Sequence, residues 1–154
     1  MKLLLLSAAD LRAALPMPAA IAAMRAAYMA VSSGQADVPQ RIALAVPEAD
    51  GLALFMPAHL PGIGLGAKIV SVFPQNAALG RPMIHGLVVV LDPATGEPLA
   101  LCDGGFLTAW RTGAGSGAAT DLLALPEAAI AAVLGCGAQA RTQVLAIDAV
   151  RSLD

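Results

Sequence analysis

The order of apolar and polar residues at the amino terminus predicts a short strand followed by two helices. The apolar start ends at Ser7, and the spacing of Ser7 and Asp10 is a capping box, in which both side chains satisfy free backbone N–H groups at a helix start. Pro16 breaks this first helix, because proline lacks the backbone N–H that would continue it. Apolar residues then recur at helical spacing over residues 17–33, which predicts a second helix that Gly34 ends.

From residue 41 onward, the pattern changes to short apolar runs separated by Pro, Gly, Asp and Asn, which is typical of strands. The sequence DPATGEP at residues 92–98 has the residues that a tight connection requires, so we expect the runs on either side of it to form a hairpin. This part of the chain is therefore predicted to be rich in sheet. The predicted strands are residues 41–46, 52–56, 65–73, 83–91 and 99–102.

Residues 104–123 are predicted to form a helix that contains many small residues. Gly113, Gly115 and Gly117 make such a helix costly in isolation, because glycine loses more backbone freedom in a helix than any other residue. Glycines at these positions indicate that a larger side chain would not fit there. We therefore expect another backbone or a ligand to come close to this helix.

The last part of the chain has the order of an apolar run, a glycine turn and a helix. Residues 129–134 predict a strand, and residues 141–150 predict a helix. Between them, the sequence GCGAQA at residues 135–140 matches the G-x-G-x-x-A pattern of a dinucleotide-binding turn. Its glycines allow a tight turn and a close approach of the backbone to a pyrophosphate, which the helix amino terminus attracts. A plain glycine turn in an α/β connection is the alternative.

These elements predict the fold class and the domain boundaries. We expect an α+β domain with a mixed sheet over residues 1–125, followed by the first β-α unit of a truncated Rossmann (α/β) domain over residues 126–154. The acidic residue that reads the ribose of a dinucleotide belongs after a second strand, which the chain does not reach. The sequence therefore leaves the choice between NAD and NADP open.

Composition and charge exclude several classes of protein. With 58% hydrophobic and 13% charged residues, the chain is too apolar to be disordered. A nucleic-acid-binding protein is not expected, because the nine basic residues are scattered and the net charge is -2. The mean hydropathy is +0.74, yet no apolar run reaches the roughly 18–20 residues of a membrane span.

The compartment is predicted from the start of the chain and from its cysteines. The first residues imitate a signal peptide, but the apolar run is short and the charged Asp10 and Arg12 follow at once. Two cysteines cannot form a disulfide framework, which favours reduced thiols. We therefore expect a cytoplasmic protein.

Three basic residues lie in apolar or small-residue surroundings and are candidates for an anion site. Arg41 opens a predicted strand, Lys68 lies inside another, and Arg111 lies in the glycine-rich helix. Together they could bind a small carboxylate, because arginine supplies fork-shaped, charge-assisted donors and lysine adds a point charge. The alternative is that each lies on a solvated face, since strand alternation lets any of them point outward.

Other chemically active residues are assigned structural roles. His59 and His85 lie far apart in the sequence and have no Cys, Asp or Glu neighbours at ligand spacing, so no metal site is predicted. Asp103 precedes the glycine-rich helix and is expected to cap its amino terminus. Cys102 and Cys136 are expected to be buried.

Five motifs stand in order along essentially the whole chain. They are FMPA at 55–58, GAKIVSVFP at 66–74, LDPxxGxPLA at 91–100, LTAxRT at 107–112 and GxGxQAR at 135–141. In this order the motifs resemble the amino-terminal half of the ornithine cyclodeaminase/mu-crystallin family. The resemblance implies a substrate-binding and dimerisation domain before an NAD(P)-binding Rossmann domain, and a homodimer whose subunits join through their sheets.

The resemblance also implies a reaction: hydride transfer between C2 of an amino or imino acid and NAD or NADP. Ornithine cyclodeaminases, ketimine or pyrroline-2-carboxylate reductases and alanine dehydrogenases share this step. One alternative is a non-catalytic protein that binds NADPH and a small ligand, as mu-crystallin-like members do. Another is an inactive, truncated dimerisation module.

The family's functional residues carry over to matching positions of this chain. Arg41 and Lys68 match positions that bind the substrate carboxylate, and Arg111 matches one between substrate and cofactor. The family's acid/base aspartate lies in the later half, so no residue up to Asp154 is expected to be catalytic and the chain alone is expected to be inactive. A threonine that some members use near the cofactor falls at Met83. The expected cofactor-binding residues are Arg111, Thr112, Gly135, Gly137, Ala138 and Gln139.

Overall fold

The computed structural model describes residues 2–154, which form one mixed sheet and four α-helices. Two 3-10 helices, Pro47–Ala49 and Pro74–Leu79, follow the second and fourth strands. The strands predicted between residues 41 and 102 are all present. The elements are β1 (Leu4–Leu6), α1 (Ala8–Ala14), α2 (Met17–Ser32), β2 (Ile42–Val46), β3 (Gly51–Leu60), β4 (Gly64–Val72), β5 (Ile84–Leu91), β6 (Pro98–Asp103), α3 (Gly104–Leu123) and α4 (Ala140–Asp148).

The sheet has the strand order β1-β6-β5-β4-β3-β2. Strand β1 pairs with β6 in parallel, and every other neighbouring pair is antiparallel. The predicted hairpin between β5 and β6 is confirmed. Its turn is closed by the Asp92 carboxylate, which accepts hydrogen bonds from the backbone N–H groups of Ala94 at 2.7 Å and Thr95 at 3.2 Å.

The helix starts follow the capping signals in the sequence. At α1 the N–H of Asp10 donates to the Ser7 hydroxyl, and the N–H of Ser7 donates to the Asp10 carboxylate at 2.9 Å, which completes the predicted capping box. At α3 the Asp103 carboxylate accepts from the N–H of Phe106 at 2.7 Å, as predicted.

The helices cover one face of the sheet. Leu11 of α1 packs with Ala100 and Cys102 of β6, and Val88 of β5 borders this cluster. A second cluster joins α2, α3 and α4 around Trp110, whose indole N–H donates to the carbonyl oxygen of Leu15 at 2.9 Å. The side chains that lie on the same face as Val88 therefore point toward the helices.

The opposite face of the sheet carries apolar side chains that no described element covers. One row crosses four strands, because Ile42 pairs with Phe55, Phe55 with Ile69, and Ile69 with Leu87. These side chains are 63%, 37%, 42% and 52% exposed, in that order. Such a continuous apolar surface is characteristic of an interaction face.

The glycines of α3 lie where other groups approach most closely, as predicted. A Cβ atom added at Gly113 would lie 2.3 Å from the carbonyl oxygen of Thr142, and one at Gly117 would lie 2.9 Å from that of Ala146. Ordinary contacts begin at about 3.4 Å, so only glycine allows α4 to lie this close to α3.

Two predictions for the last part of the chain are wrong. Residues 129–134 form no strand, and the side chains of Ile130 and Leu134 are 89% and 94% exposed. A strand requires hydrogen-bonding partners, and no parallel strand stands beside this segment among residues 2–154. Cys136 is exposed rather than buried, because the turn that carries it is open on one side, whereas Cys102 is buried as expected.

No single described helix is long and apolar enough to cross a membrane. Helices α1 and α2 would reach the required length and composition only together, across a bend of 86°.

Candidate functional site

The sheet register places Lys68 on the face that the helices cover. Lys68 lies in the middle of β4, where it pairs with Met56 on one side and with Val88 on the other. Directly paired residues share a face of an antiparallel sheet, and Val88 borders the core under α1 and α3. Arg41 immediately precedes β2, and continuing the β2–β3 register sets it opposite Met56. Arg41, Met56 and Lys68 therefore form one row across the sheet.

The charges of Arg41, Lys68 and Arg111 influence one another. Burial lowers the pKa of Lys68, and the positive charges of Arg111 and Arg41 lower this pKa further. Among the described residues, none of the three makes a salt bridge, and none of their side chains makes a hydrogen bond. A bound carboxylate would offset the repulsion among these three cations, which makes the cluster a candidate anion site.

Arg111 reaches this site from α3. The preceding residue, Trp110, is buried against α2 and donates to the carbonyl oxygen of Leu15, and these contacts with other elements fix the rotation of α3. Arg111 itself is exposed. Its neighbour Thr112 is half-buried, and the Thr112 hydroxyl donates to the carbonyl oxygen of Thr108 at 2.6 Å. The oxygen of this hydroxyl keeps lone pairs that can accept a hydrogen bond.

The glycine turn before α4 is open and leads into a helix start that no side chain caps. Gly135 has a φ of 99°, a left-handed conformation that favours glycine, and nothing lies within 4 Å of a Cβ atom added at Gly135 or Gly137. No side chain caps the amino terminus of α4 at Gln139. The helix end therefore presents backbone N–H groups and the positive end of its dipole to open space, and these residues fit a dinucleotide.

Helices α3 and α4 bring the turn to the level of Arg111. The contacts of Gly113 with Thr142 and of Gly117 with Ala146 both join residues whose numbers differ by 29. The two helices therefore run side by side in the same direction and in step. At the same offset, Arg111 lies level with Ala140, the first residue of α4. Arg111 and the end of the glycine turn thus lie at the same level along the helix pair.

The structure also contains functional features that the sequence analysis missed. Asp121 near the end of α3 forms salt bridges with Arg25 of α2 and with Arg151, which follows α4. The four-residue spacing of Gly113 and Gly117 was a signal for a helix contact, but nothing in the sequence identified its partner. Within the part of the chain that the structure describes, no three His, Cys, Asp or Glu side chains are grouped to hold a metal ion.

The fold and the grouped cations define the class of protein. It is an α+β domain with three unpaired cations, followed by the start of an α/β unit. The model of the ornithine cyclodeaminase/mu-crystallin family matches residues 1–154, and the chain belongs to this family. It is similar to the Delta(1)-pyrroline-2-carboxylate reductase of Bacillus cereus, with 38% identity over 153 residues, which are 99% of this chain and 47% of the relative.

Two solved structures are similar to this fold. That of Thermococcus litoralis Delta(1)-pyrroline-2-carboxylate reductase, in complex with NADH and L-proline, has a TM-score of 0.88 and 41% identity over 98% of this chain and 47% of that chain. An archaeal alanine dehydrogenase dimer with bound NAD has a TM-score of 0.89 and 33% identity over 99% of this chain and 47% of that chain. The chain spans about half the length of the relatives it matches.

Proposed function

We propose that this chain is the amino-terminal part of an NAD(P)-dependent enzyme that transfers a hydride at C2 of an amino or imino acid. The observation that carries the proposal is the cluster of Arg41, Lys68 and Arg111, of which Arg111 lies level with the end of the glycine turn. Similarity to a reductase and to an alanine dehydrogenase supports the same reaction class. We assign residues 1–125 to substrate binding and dimerisation, and residues 126–154 to the start of the NAD(P)-binding domain.

In this proposal, the cations orient the substrate. Arg41 and Lys68 bind its carboxylate from the sheet, and Arg111 binds it from α3. A carboxylate held from two sides leaves C2 in a fixed position, and orientation of this kind contributes several kcal/mol to catalysis. NAD(P), when bound, supplies or accepts the hydride. The proton that accompanies the transfer is assigned to an aspartate beyond Asp154.

The cofactor contacts are assigned to the open turn and to the neighbouring part of α3. Gly135 and Gly137 allow the backbone to approach the pyrophosphate, and Ala138 and Gln139 lie at the helix end that attracts its charge. Thr112 and Arg111 lie on the adjacent helix α3. We also infer a cytoplasmic location, where both thiols stay reduced.

The test is an NAD(P)H-dependent assay of the full-length protein with pyrroline-2-carboxylate, pyruvate plus ammonia, and ornithine. We expect turnover of at least one of them. Arg111→Ala should cost about 2–5 kcal/mol in kcat/KM, because it leaves the substrate carboxylate partly unpaired. Arg25→Ala, whose guanidinium binds Asp121 near the opposite end of α3, is the matched control and should leave kcat/KM unchanged. Tight cofactor binding without any turnover would contradict the proposal that the protein is an enzyme, and would favour a non-catalytic ligand-binding protein.

The uncovered face of the sheet supports a homodimer. The row formed by Ile42, Phe55, Ile69 and Leu87 is exposed in the single chain, and the similar alanine dehydrogenase is a dimer. We infer that two copies pack these faces together. Ile69→Lys should shift the sedimentation of the protein from dimer to monomer, because it places a charge in an apolar interface. Leu79→Lys, at an exposed position off this face, is the control, and a monomeric wild type would contradict the proposal.

A further inference from the structure

Arg151 ties the end of α4 to the end of α3. Its side chain is only 10% exposed, and its guanidinium contacts the Asp121 carboxylate at 3.3 Å. The same guanidinium donates to the carbonyl oxygens of Thr120, Asp121, Ala124 and Leu125 at 2.9–3.2 Å. The carbonyl oxygens of Thr120 and Leu125 also accept from the backbone N–H groups of Ala124 and Ala128. Arg151 therefore supplies charge-assisted hydrogen bonds chiefly to the carbonyl oxygens of Asp121 and Ala124, at the end of α3.

The two helices also touch without intervening side chains on the α3 side. Gly113 and Gly117 lie against the carbonyl oxygens of Thr142 and Ala146, and Ala146 is fully buried. Backbone against backbone leaves no flexible atoms that could absorb a displacement. Arg151 and the two glycine contacts follow one another along the helix pair, so α4 is fixed at three successive levels.

This contact lies close to Arg111 along α3 and close to the glycine turn along α4. The closest contact, at Gly113, lies two residues from Arg111 on α3. Its partner Thr142 lies two residues from Ala140, where the glycine turn ends. Any movement of α4 relative to α3 therefore moves the turn relative to Arg111.

We propose that Arg151 and the glycine contacts are positioning elements that fix the glycine turn at a set distance from Arg111. The inference rests on the proposed function, since only an enzyme that holds its substrate at Arg111 and its cofactor at the turn requires that distance. Arg151 touches neither ligand and acts only through α4. Gly113 likewise acts by setting the separation of the two helices.

The chain carries its own probes for this distance. Trp110, next to Arg111, is the only tryptophan, and Cys136 lies in the turn. Cys136 is exposed and Cys102 is buried, so a thiol reagent attaches an acceptor dye selectively to the turn. Resonance energy transfer from Trp110 to the dye then reports the distance between α3 and the turn.

Two matched pairs of variants separate positioning from general stability. Arg151→Ala should lower the transfer efficiency and broaden the distance distribution. Arg25→Ala should not, because Arg25 reaches the same Asp121 from α2. The second pair tests the glycine contact with Gly113→Ala and Gly115→Ala. The Cβ atom added by Gly113→Ala must push Thr142 about 1 Å away to reach ordinary contact.

The glycine control is Gly115→Ala, which adds the same helix propensity on the same helix. Its Cβ atom meets only the hydroxyl end of Tyr28, at 2.6 Å, and the half-exposed Tyr28 side chain can move away. Gly113→Ala should therefore shift the transfer efficiency, and Gly115→Ala should leave it unchanged. Unchanged transfer in both Arg151→Ala and Gly113→Ala would overturn the inference.

Kinetics of the full-length enzyme test whether this distance matters for the reaction. Gly113→Ala should lower kcat on the order of 10²-fold, as expected for a misplacement of about 1 Å. The KM for the substrate should change less than about twofold, because the carboxylate cluster is intact. An unchanged kcat in a variant whose transfer efficiency has shifted would overturn the inference. A wild-type enzyme without turnover would instead contradict the proposed function, which distinguishes the two failures.

Discussion

Replacing Lys68 by methionine is expected to stabilise the protein while weakening its affinity for carboxylates. Burial lowers the pKa of Lys68, and the charges of Arg111 and Arg41 lower it further, so the folded state disfavours the charged lysine. Methionine is a flexible, unbranched side chain and suits a position between Met56 and Val88. The substitution removes the repulsion together with the donor that binds the anion.

The two effects have different sizes. Lys68 is only partly buried, so solvent screens the repulsion, and we expect the free energy of unfolding to rise by about 0.5–1 kcal/mol at neutral pH. For a domain of this size, that corresponds to a rise in Tm of about 2–4 °C at most. A lost charge-assisted hydrogen bond costs about 1.5–3 kcal/mol, which weakens carboxylate binding roughly 10- to 150-fold.

The pH dependence of stability has a definite sign. The pKa of Lys68 in the folded chain lies below the ordinary value of 10.5, so the unfolded chain holds more protons between these two pKa values. The free energy of unfolding therefore rises with pH across this window. Below the window Lys68 is charged in both states and its destabilising effect is complete. Lys68→Met should remove this rise.

Thermal unfolding followed by circular dichroism, with and without pyrrole-2-carboxylate, measures both effects. Lys2→Met is the matched control, since Lys2 is the only other lysine and is exposed. Lys68→Arg keeps the charge and should keep carboxylate binding. A Lys68→Met protein that melts at a lower temperature than wild type and binds pyrrole-2-carboxylate equally well would refute the reasoning.

The remaining predictions concern the rest of the chain. Cys136 should react with Ellman's reagent in the native protein, whereas Cys102 should react only after unfolding, because it is buried and burial raises the pKa of its thiol; two fast thiols in the native state would contradict this. Asp103→Ala should lower the free energy of unfolding in urea by about 1 kcal/mol through loss of the α3 cap, and an unchanged midpoint would show that the cap is not stabilising. Trp110→Phe should cost about 1 kcal/mol or more, since it removes the hydrogen bond to the Leu15 carbonyl oxygen and leaves a void in the core; full stability of this variant would contradict the assigned bond.

Local signals in the sequence were sufficient to predict most of the fold. The capping box at Ser7 and the Asp103 cap depend on residues close together in the chain, so the sequence alone predicts both. The hairpin at residues 92–98 was predictable for the same reason, because its turn is closed by its own Asp92. Elements that are stabilised by contacts within a few residues can be predicted from the sequence.

The strand predicted at residues 129–134 is wrong because strand formation depends on partner strands that are distant in the sequence. An apolar run is compatible with a strand, but hydrogen-bonding partners determine whether one forms. Among residues 2–154 the sheet is complete without this segment, and Ile130 and Leu134 stay exposed. The exposure of Cys136 has the same origin, since the turn that carries it has no neighbouring strand to cover it.

The candidate site was only partly predictable. Residue type identified Arg41, Lys68 and Arg111 as candidates, but strand alternation left their directions open until the register set Lys68 opposite Val88. The contact between α3 and α4 could not be predicted at all from the glycines alone. It depends on Thr142, 29 residues further along the chain than Gly113, and sequence spacing carries no information about such a partner.

The most direct test of the central claim is the titration of Lys68 by NMR after labelling the lysine side chains with 13C-methyl groups. Only Lys2 and Lys68 contribute side-chain signals, so the assignment needs a single variant. We predict that Lys68 titrates below 10.5, and that pyrrole-2-carboxylate raises its pKa whereas the uncharged pyrrole-2-carboxamide does not. A Lys68 pKa that pyrrole-2-carboxylate leaves unchanged would contradict a carboxylate site formed by Arg41, Lys68 and Arg111.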